Sequence, residues 1–269
     1  MSDPLPPALA AGLARTRARR GPFGDPVLYL SETASTNDVA SDLAARGAAE
    51  GTTVIAGRQL AGRGRLGRSW HSPPGAGLYV SVIVRSAAVY PLLTLAGGVA
   101  VADGIRTSTG LPVAIKWPND VVVPDRRAPA GRRKLAGILA EASSEGGRVS
   151  HVVLGFGVNV APAAFPPDVA AQATSLETEL GRPVDIGDVL GETLSALAER
   201  VASLVRGERG PLLARWRALA PGASGSRIEW ESGGGRFSGV TMGIDDDGAL
   251  LVRGSAGVER IFSATVVWM

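Results

Sequence analysis

The side chains best suited to chemistry gather in residues 58–70, R-Q-L-A-G-R-G-R-L-G-R-S-W, where Arg58, Arg63, Arg65 and Arg68 are interleaved with Gly62, Gly64 and Gly67. Glycines let main-chain N–H groups approach a ligand, and guanidinium groups present planar donor forks to phosphate or carboxylate. The stretch therefore reads as a loop that binds an anion, against the plainer alternative of a basic surface loop. Its glycines spell G-x-G-x-x-G, yet a dinucleotide-binding loop opens a helix and is followed about twenty residues later by an acid. Here Pro73, Pro74 and Gly75 follow, and no Asp or Glu lies between Glu50 and Asp103. No Gly-Lys-Ser/Thr closes the stretch, so it is not a Walker loop.

Rare residues mark the other candidates. Lys116 and Lys134 are the only lysines among 28 basic residues, and Asn37, Asn119 and Asn159 are the only asparagines. In a chain rich in Ala, Gly, Arg and Pro, a retained lysine points to a position that needs a compact, mobile ammonium. Lys116, Asn119 and Asp120 belong to K-W-P-N-D, which interrupts the apolar run 113–123; Pro118 holds Trp117 extended and breaks any ladder. Charge at a turn between two buried strands is costly unless paired or used. Ser31 to Asp38, S-E-T-A-S-T-N-D, offers hydroxyls and a carboxamide before a helical stretch at 39–45. There Ser35 or Thr36 can cap the helix, or the group can hold a neutral amide or ureido ligand.

The elements that would carry these groups follow in order. Residues 1–25 are Ala, Pro and Arg rich and read as a flexible arm, with Arg15, Arg17, Arg19 and Arg20 placed wrongly for a secretory signal. Strands are expected at 27–30, 51–57, 78–85, on both sides of K-W-P-N-D, and at 134–141 and 151–160. Gly155 and Gly157 in the last of these imply close approach by a ligand or backbone. Helices are expected at 92–108, 186–206 (with Asp185 as cap) and 212–219. Residues 124–133 read as an inserted loop and 221–226 as a linker. Beyond it the period changes to two, giving a small antiparallel barrel of strands at 227–231, 237–244, 249–253 and 258–263. His151 reads as an ordinary strand residue.

A net charge of +3 does not support broad nucleic-acid binding, the absence of cysteine excludes disulfides and thiol catalysis, and no apolar run is long enough to span a membrane.

Taken together, Gly62–Arg68, Lys116-Trp117-Pro118-Asn119-Asp120, K-L-A-G-I-L at 134–139 and G-F-G-V-N at 155–159, in that order, resemble the biotin protein ligase family from residue 27 onward. The resemblance implies an α+β protein. Its mixed-sheet catalytic domain (26–220), related to class II synthetases and lipoate ligases, would precede an SH3-like barrel (221–269). It also implies an ATP-dependent ligase that forms biotinyl-5′-AMP and transfers biotin to a lysine of a carboxylase's carrier domain. Carried over by position, Ser35, Thr36, Asn37, Gln59, Arg63, Gly64, Arg65 and Lys134 would contact biotin. Arg63, Arg65, Arg68, Trp70, Lys116, Asn119 and Asn159 would hold ATP or the adenylate, Asp120 would serve Mg2+, and Lys134, Arg65 and Lys116 would be catalytic. A cytoplasmic location follows from the same resemblance. The stretch before residue 27 is too short for the winged helix of the bifunctional members, which argues against a DNA partner. A homodimer stays open. The rival readings are a lipoate or octanoate transferase of the same superfamily and a non-catalytic nucleic-acid binder.

Overall fold

Strand β7 (Arg148–Asn159) is buried along nearly its whole length and lies at the middle of a seven-stranded sheet. Its neighbours explain that burial. The sheet order is β1 (Val27–Leu30), β2 (Thr53–Ala56), β3 (Gly77–Val84), β7, β6 (Arg132–Glu145), β5 (Asp120–Pro124) and β4 (Ala114–Lys116). Only β1 and β2 pair in parallel. A second, antiparallel sheet runs β11 (Gly257–Ile261), β10 (Leu250–Gly254), β9 (Gly235–Ile244), β8 (Ser224–Ser232), β12 (Val266–Trp268). The computed structural model describes residues 2–125, 128, 131–163, 165–232, 235–255, 257–262, 264 and 266–268.

Period two in the strands divides the large sheet into two faces. Leu78, Val80, Val82, Ile138, Leu154 and Phe156 point to one face and form the main core with helix α3 (Tyr90–Thr109). The other face carries Ser81, Ile83, Val153, Gly155 and Gly157, and helix α2 (Thr36–Ala45) covers part of it through Ala40 and Ala44. The remaining helices are α1 (Pro7–Arg20), the short α4 (Pro167–Ala170) and α5 (Leu176–Leu180), α6 (Ile186–Val205) and α7 (Arg209–Leu219). Asp185 caps α6 as expected, its Oδ1 accepting from the Gly187 and Asp188 amides at 2.8 and 3.3 Å.

The flexible arm expected over 1–25 is overturned. Pro6 and Pro7 start a helix, since a proline in the first turn loses no bond, and α1 lies against α6 with Leu9 and Leu13 in the main core. Gly12 and Gly187 meet so closely that a Cβ on Gly12 would sit 2.0 Å from the Gly187 carbonyl oxygen. Three of its arginines are partnered: Arg15 pairs with Asp188 at 2.5 Å and Arg19 with Glu192 at 2.5 Å, while Arg20 is buried and donates to the Leu13 and Phe23 carbonyls. The linker expected at 221–226 is a single 3-10 turn, Pro221–Ala223, running directly into β8. The inserted loop at 124–133 is shortened by β5 and β6, and its residues 126, 127, 129 and 130 lie outside the described residues.

Candidate active site

The sheet face beneath α2 holds almost every residue singled out above, in two groups. The first is neutral. Ser81, fully buried in β3, donates to Asn37 Oδ1 at 2.5 Å and lies 2.7 Å from Thr36 Oγ1. Gln59 Oε1 accepts from both the amide and the hydroxyl of Thr36, at 2.9 and 3.0 Å, while its Nε2 donates to Ser72 Oγ at 2.9 Å. The helix start is therefore capped by a side chain from another loop. Ser35 occupies the N-cap position and is buried but makes no side-chain cap bond. Gly155 is required here, because a Cβ would lie 2.3 Å from Asn37 Oδ1. A small polar group entering this end meets hydroxyls and carboxamides in fixed orientations and no net charge.

The second group is cationic. The arginine stretch is a small hairpin: Gly62 accepts from Trp70 N at 2.8 Å, Gly64 N donates to the Arg68 carbonyl at 2.6 Å, and Arg63 bridges Ser69. Its tip, Arg65–Gly67, places Leu66 at φ 56, the left-handed region that L side chains rarely enter. Arg58 faces Glu32 outside the group, at 3.1 Å. Arg63 is held by Asp38 at 2.6 Å and Glu141 at 2.8 Å, and the same Glu141 oxygen accepts from Asn37 Nδ2 at 2.5 Å. Glu141 thus links the neutral group to the hairpin.

Asp120 lies at the centre of the cations. Lys134 Nζ is 2.6 Å from Asp120 Oδ1 and 5.2 Å from the Trp70 ring centroid. Lys116 is the register partner of Asp120. Burial pushes its ammonium below the ordinary lysine range, Asp120 opposes this, and Arg132, Lys134 and Arg68 reinforce it. Burial also lowers the Arg65 guanidinium, with Asp120 attracting it and Arg68 repelling it. Several cations converge on one carboxylate, which makes this end ready for a polyanion.

Trp70 joins the two ends. Its indole lies over Gly137 and Gly157, which face each other across β6 and β7. A Cβ on Gly157 would be 2.3 Å from Trp70 Nε1, and one on Gly137 3.0 Å from the ring. The indole nitrogen is buried and has no hydrogen-bond partner among the described residues.

Asn119 and Asn159, expected at the nucleotide, each tie one element to another through Nδ2. Asn119 Nδ2 donates to the Ile138 carbonyl at 2.8 Å, and Asn159 Nδ2 to the Thr174 carbonyl at 2.9 Å. Gly64 lies in the hairpin next to Arg63 and Arg65. For Mg2+, Asp120 is the carboxylate available, and no group of three or more His, Cys, Asp or Glu suited to a metal occurs among the described residues. That donor set suits a hard cation arriving on phosphate oxygens, which need only one or two protein carboxylates. Sequence reasoning missed Ser81 and Glu141. A lone hydroxyl in an apolar strand and an acid closing one were the available signals. His151, read as an ordinary strand residue, is buried with Nδ1 on Ser150 Oγ at 3.1 Å, and its Nε2 has no partner among the described residues.

Residues 29–159 match the biotin/lipoate A/B protein ligase family, and residues 223–267 match the biotin protein ligase C-terminal domain. The bifunctional ligase/repressor of Bacillus subtilis is 35% identical over 249 residues, an overlap covering 91% of this chain and 74% of that protein. The biotin–[acetyl-CoA-carboxylase] ligase of Paracoccus denitrificans is 36% identical over 244 residues, covering 88% of this chain and 98% of that protein. The structure of a biotin protein ligase from Aquifex aeolicus in complex with biotin and ATP aligns with a TM-score of 0.77 at 26% identity, covering 90% of this chain and 99% of that one. With a two-ended site on one sheet face and relatives of this identity along most of its length, the chain belongs to the biotin protein ligase family.

Proposed function

We propose that this chain activates biotin with ATP as biotinyl-5′-AMP and passes the biotinyl group to a lysine of the carrier domain of a biotin-dependent carboxylase. The observation that carries the reading is the two-ended site: a neutral group of hydroxyls and carboxamides suited to a ureido ring, and a cation cluster suited to carboxylate and phosphate, joined by the Trp70 indole. In the first step a biotin carboxylate oxygen attacks the α-phosphorus of ATP and pyrophosphate leaves. Both reactants are anions, so the reaction needs positive charge fixed in advance around them. Arg63, Arg65, Arg68, Lys116 and Lys134 supply it, while Ser35, Thr36, Asn37, Gln59 and Gly64 frame the ring-binding end. In the second step a carrier lysine amine attacks the acyl carbon and AMP leaves. When bound, Mg2+ would offset phosphate charge beside Asp120. Lys134 is held by Asp120 and the Trp70 face, so its compact ammonium is positioned before ligand arrives.

Pyrophosphate exchange into ATP, run separately with biotin, lipoate and octanoate, tests the reading without a carrier. Exchange with biotin alone is expected. Exchange supported by lipoate or octanoate in its place overturns the substrate assignment, and no exchange with any acid by folded protein overturns the adenylation reading.

A further inference from the structure

The turn that carries Lys116 and Asp120 is gripped from both sides, and one of the grips belongs to the C-terminal sheet. On the inner side, Asn119 is tied to β6 by two bonds with Ile138, its Nδ2 donating to the Ile138 carbonyl at 2.8 Å and its carbonyl accepting from Ile138 N at 2.9 Å. On the outer side, Trp117 is buried to 2% exposure and its Nε1 donates to the Gly248 carbonyl at 3.1 Å. Residues 117 and 119 are thus anchored, and the flanking register pair 116 and 120 bears the charge.

Gly248 is not a casual partner. It lies in the turn between β9 and β10, which closes on Asp245: Asp245 Oδ1 accepts from the amides of Asp247 and Ala249 at 2.9 and 3.0 Å, and Arg260 holds its other oxygen at 2.6 Å. Gly248 has φ 83, and a Cβ there would lie 2.9 Å from Leu95 Cδ1 on α3. Conformation and space both demand glycine. The carbonyl offered to Trp117 is therefore fixed by the turn's own bonds and by packing on the core. A second hold lies at the far end of the hairpin, where Arg132 stands 5.2 Å over the Trp268 ring of β12.

We propose that the β9–β10 turn of the C-terminal sheet is a positioning device for the nucleotide end of the site, acting through Trp117 on Lys116 and Asp120. The inference rests on the adenylation reading and deepens it: Trp117 touches no reacting atom, and its effect falls chiefly on ATP. The neutral group is built from α2, β3 and the Gln59 loop, none of which includes the anchored turn, so recognition of the ureido end of biotin is independent of it, and only the carboxylate end, near Lys134, borders on the turn.

The test uses two variants of the full chain. Trp117→Phe removes the donor and keeps a ring. Asp245→Ala opens the turn without touching Lys116, Trp117 or Asp120, and keeps the inference falsifiable if Trp117→Phe fails to fold. Affinity for ATP alone, affinity for biotin alone and biotin-dependent exchange are measured well below each melting temperature. Both variants are expected to weaken ATP binding and raise the KM for ATP by about tenfold, with a clearly smaller loss of biotin affinity, as fits loss of one oriented hydrogen bond and a small misplacement. A lowered melting temperature with ATP affinity unchanged makes the contact merely structural and overturns the inference, as does an equal loss of biotin affinity. Direct ATP binding keeps the two questions separate, because absence of biotin-dependent exchange in the parent protein counts against the proposed function alone.

Discussion

Replacing Gly157 by alanine adds one methyl group to a strand whose backbone tolerates it, since Gly157 is not among the glycines with positive φ. The new Cβ would lie 2.3 Å from Trp70 Nε1 and 2.5 Å from Cε2, where ordinary contact begins at 3.4 Å. Gly157 is in the middle of a sheet paired on both sides, so the indole must yield. It has to lift by about 1 Å, and overpacking of this kind destabilises a fold by about 1–3 kcal/mol. The functional loss should be larger in proportion. The indole supports Lys134, whose ammonium is 5.2 Å from the ring centroid and 2.6 Å from Asp120, and a displacement of about 1 Å at a reacting centre lowers a rate by roughly 10²-fold. Initial-rate pyrophosphate exchange with biotin, alongside thermal denaturation, measures both effects. A Gly157→Ala protein that exchanges within threefold of the parent, on the order of 0.7 kcal/mol, would refute the argument that Trp70 sets the geometry. A double-mutant cycle sharpens it: if the methyl acts only through the indole, adding Gly157→Ala to Trp70→Ala changes little further.

Three more outcomes follow from the same geometry. Glu141→Gln should raise the biotin KM severalfold by releasing Arg63 and Asn37 together. Because that pair is 41% exposed on both sides, its melting temperature should reflect no more than about 1 kcal/mol; an unchanged KM would show that the link is idle. Leu13→Ala should destabilise the protein by about 2–4 kcal/mol, seen as a lowered melting temperature, since Leu13 lies in the main core; no change would restore the flexible-arm reading. Lys116, lowered below 10.5 by burial, gives opposite signs in two assays. Its charged form disfavours the empty fold, so stability from this group recovers as pH rises through the lowered value, while ATP affinity falls over the same window. Lys116→Arg should move the affinity loss to higher pH, and an affinity curve flat up to pH 10.5 would contradict the assignment.

What the sequence revealed and what it concealed divide along a physical line. Features governed by neighbours in the chain were legible: the period of two after residue 226, the Asp185 cap, the loop of alternating arginine and glycine, and a charged turn between apolar strands. The scarcity of lysine pointed to Lys116 and Lys134, which the fold places about Asp120 from different strands. Features that depend on a distant surface were not legible. Helix α1 shows a weak apolar stripe because its contact with α6 is made largely by missing side chains, Gly12 against Gly187 and Gly191, and a glycine records no sign of what it lets approach. Ser81 and Glu141 were missed for a related reason, since Ser81 meets Asn37 across 44 positions of sequence and Glu141 meets it across 104. Asn119 and Asn159 each carry a bond of the same long-range kind: the Nδ2 of each satisfies a buried carbonyl, and only the fold shows the carbonyls of Ile138 and Thr174 within reach. Rarity in composition thus marked where the chain is constrained, and the hydrogen-bond partners show what each of these side chains holds in the fold.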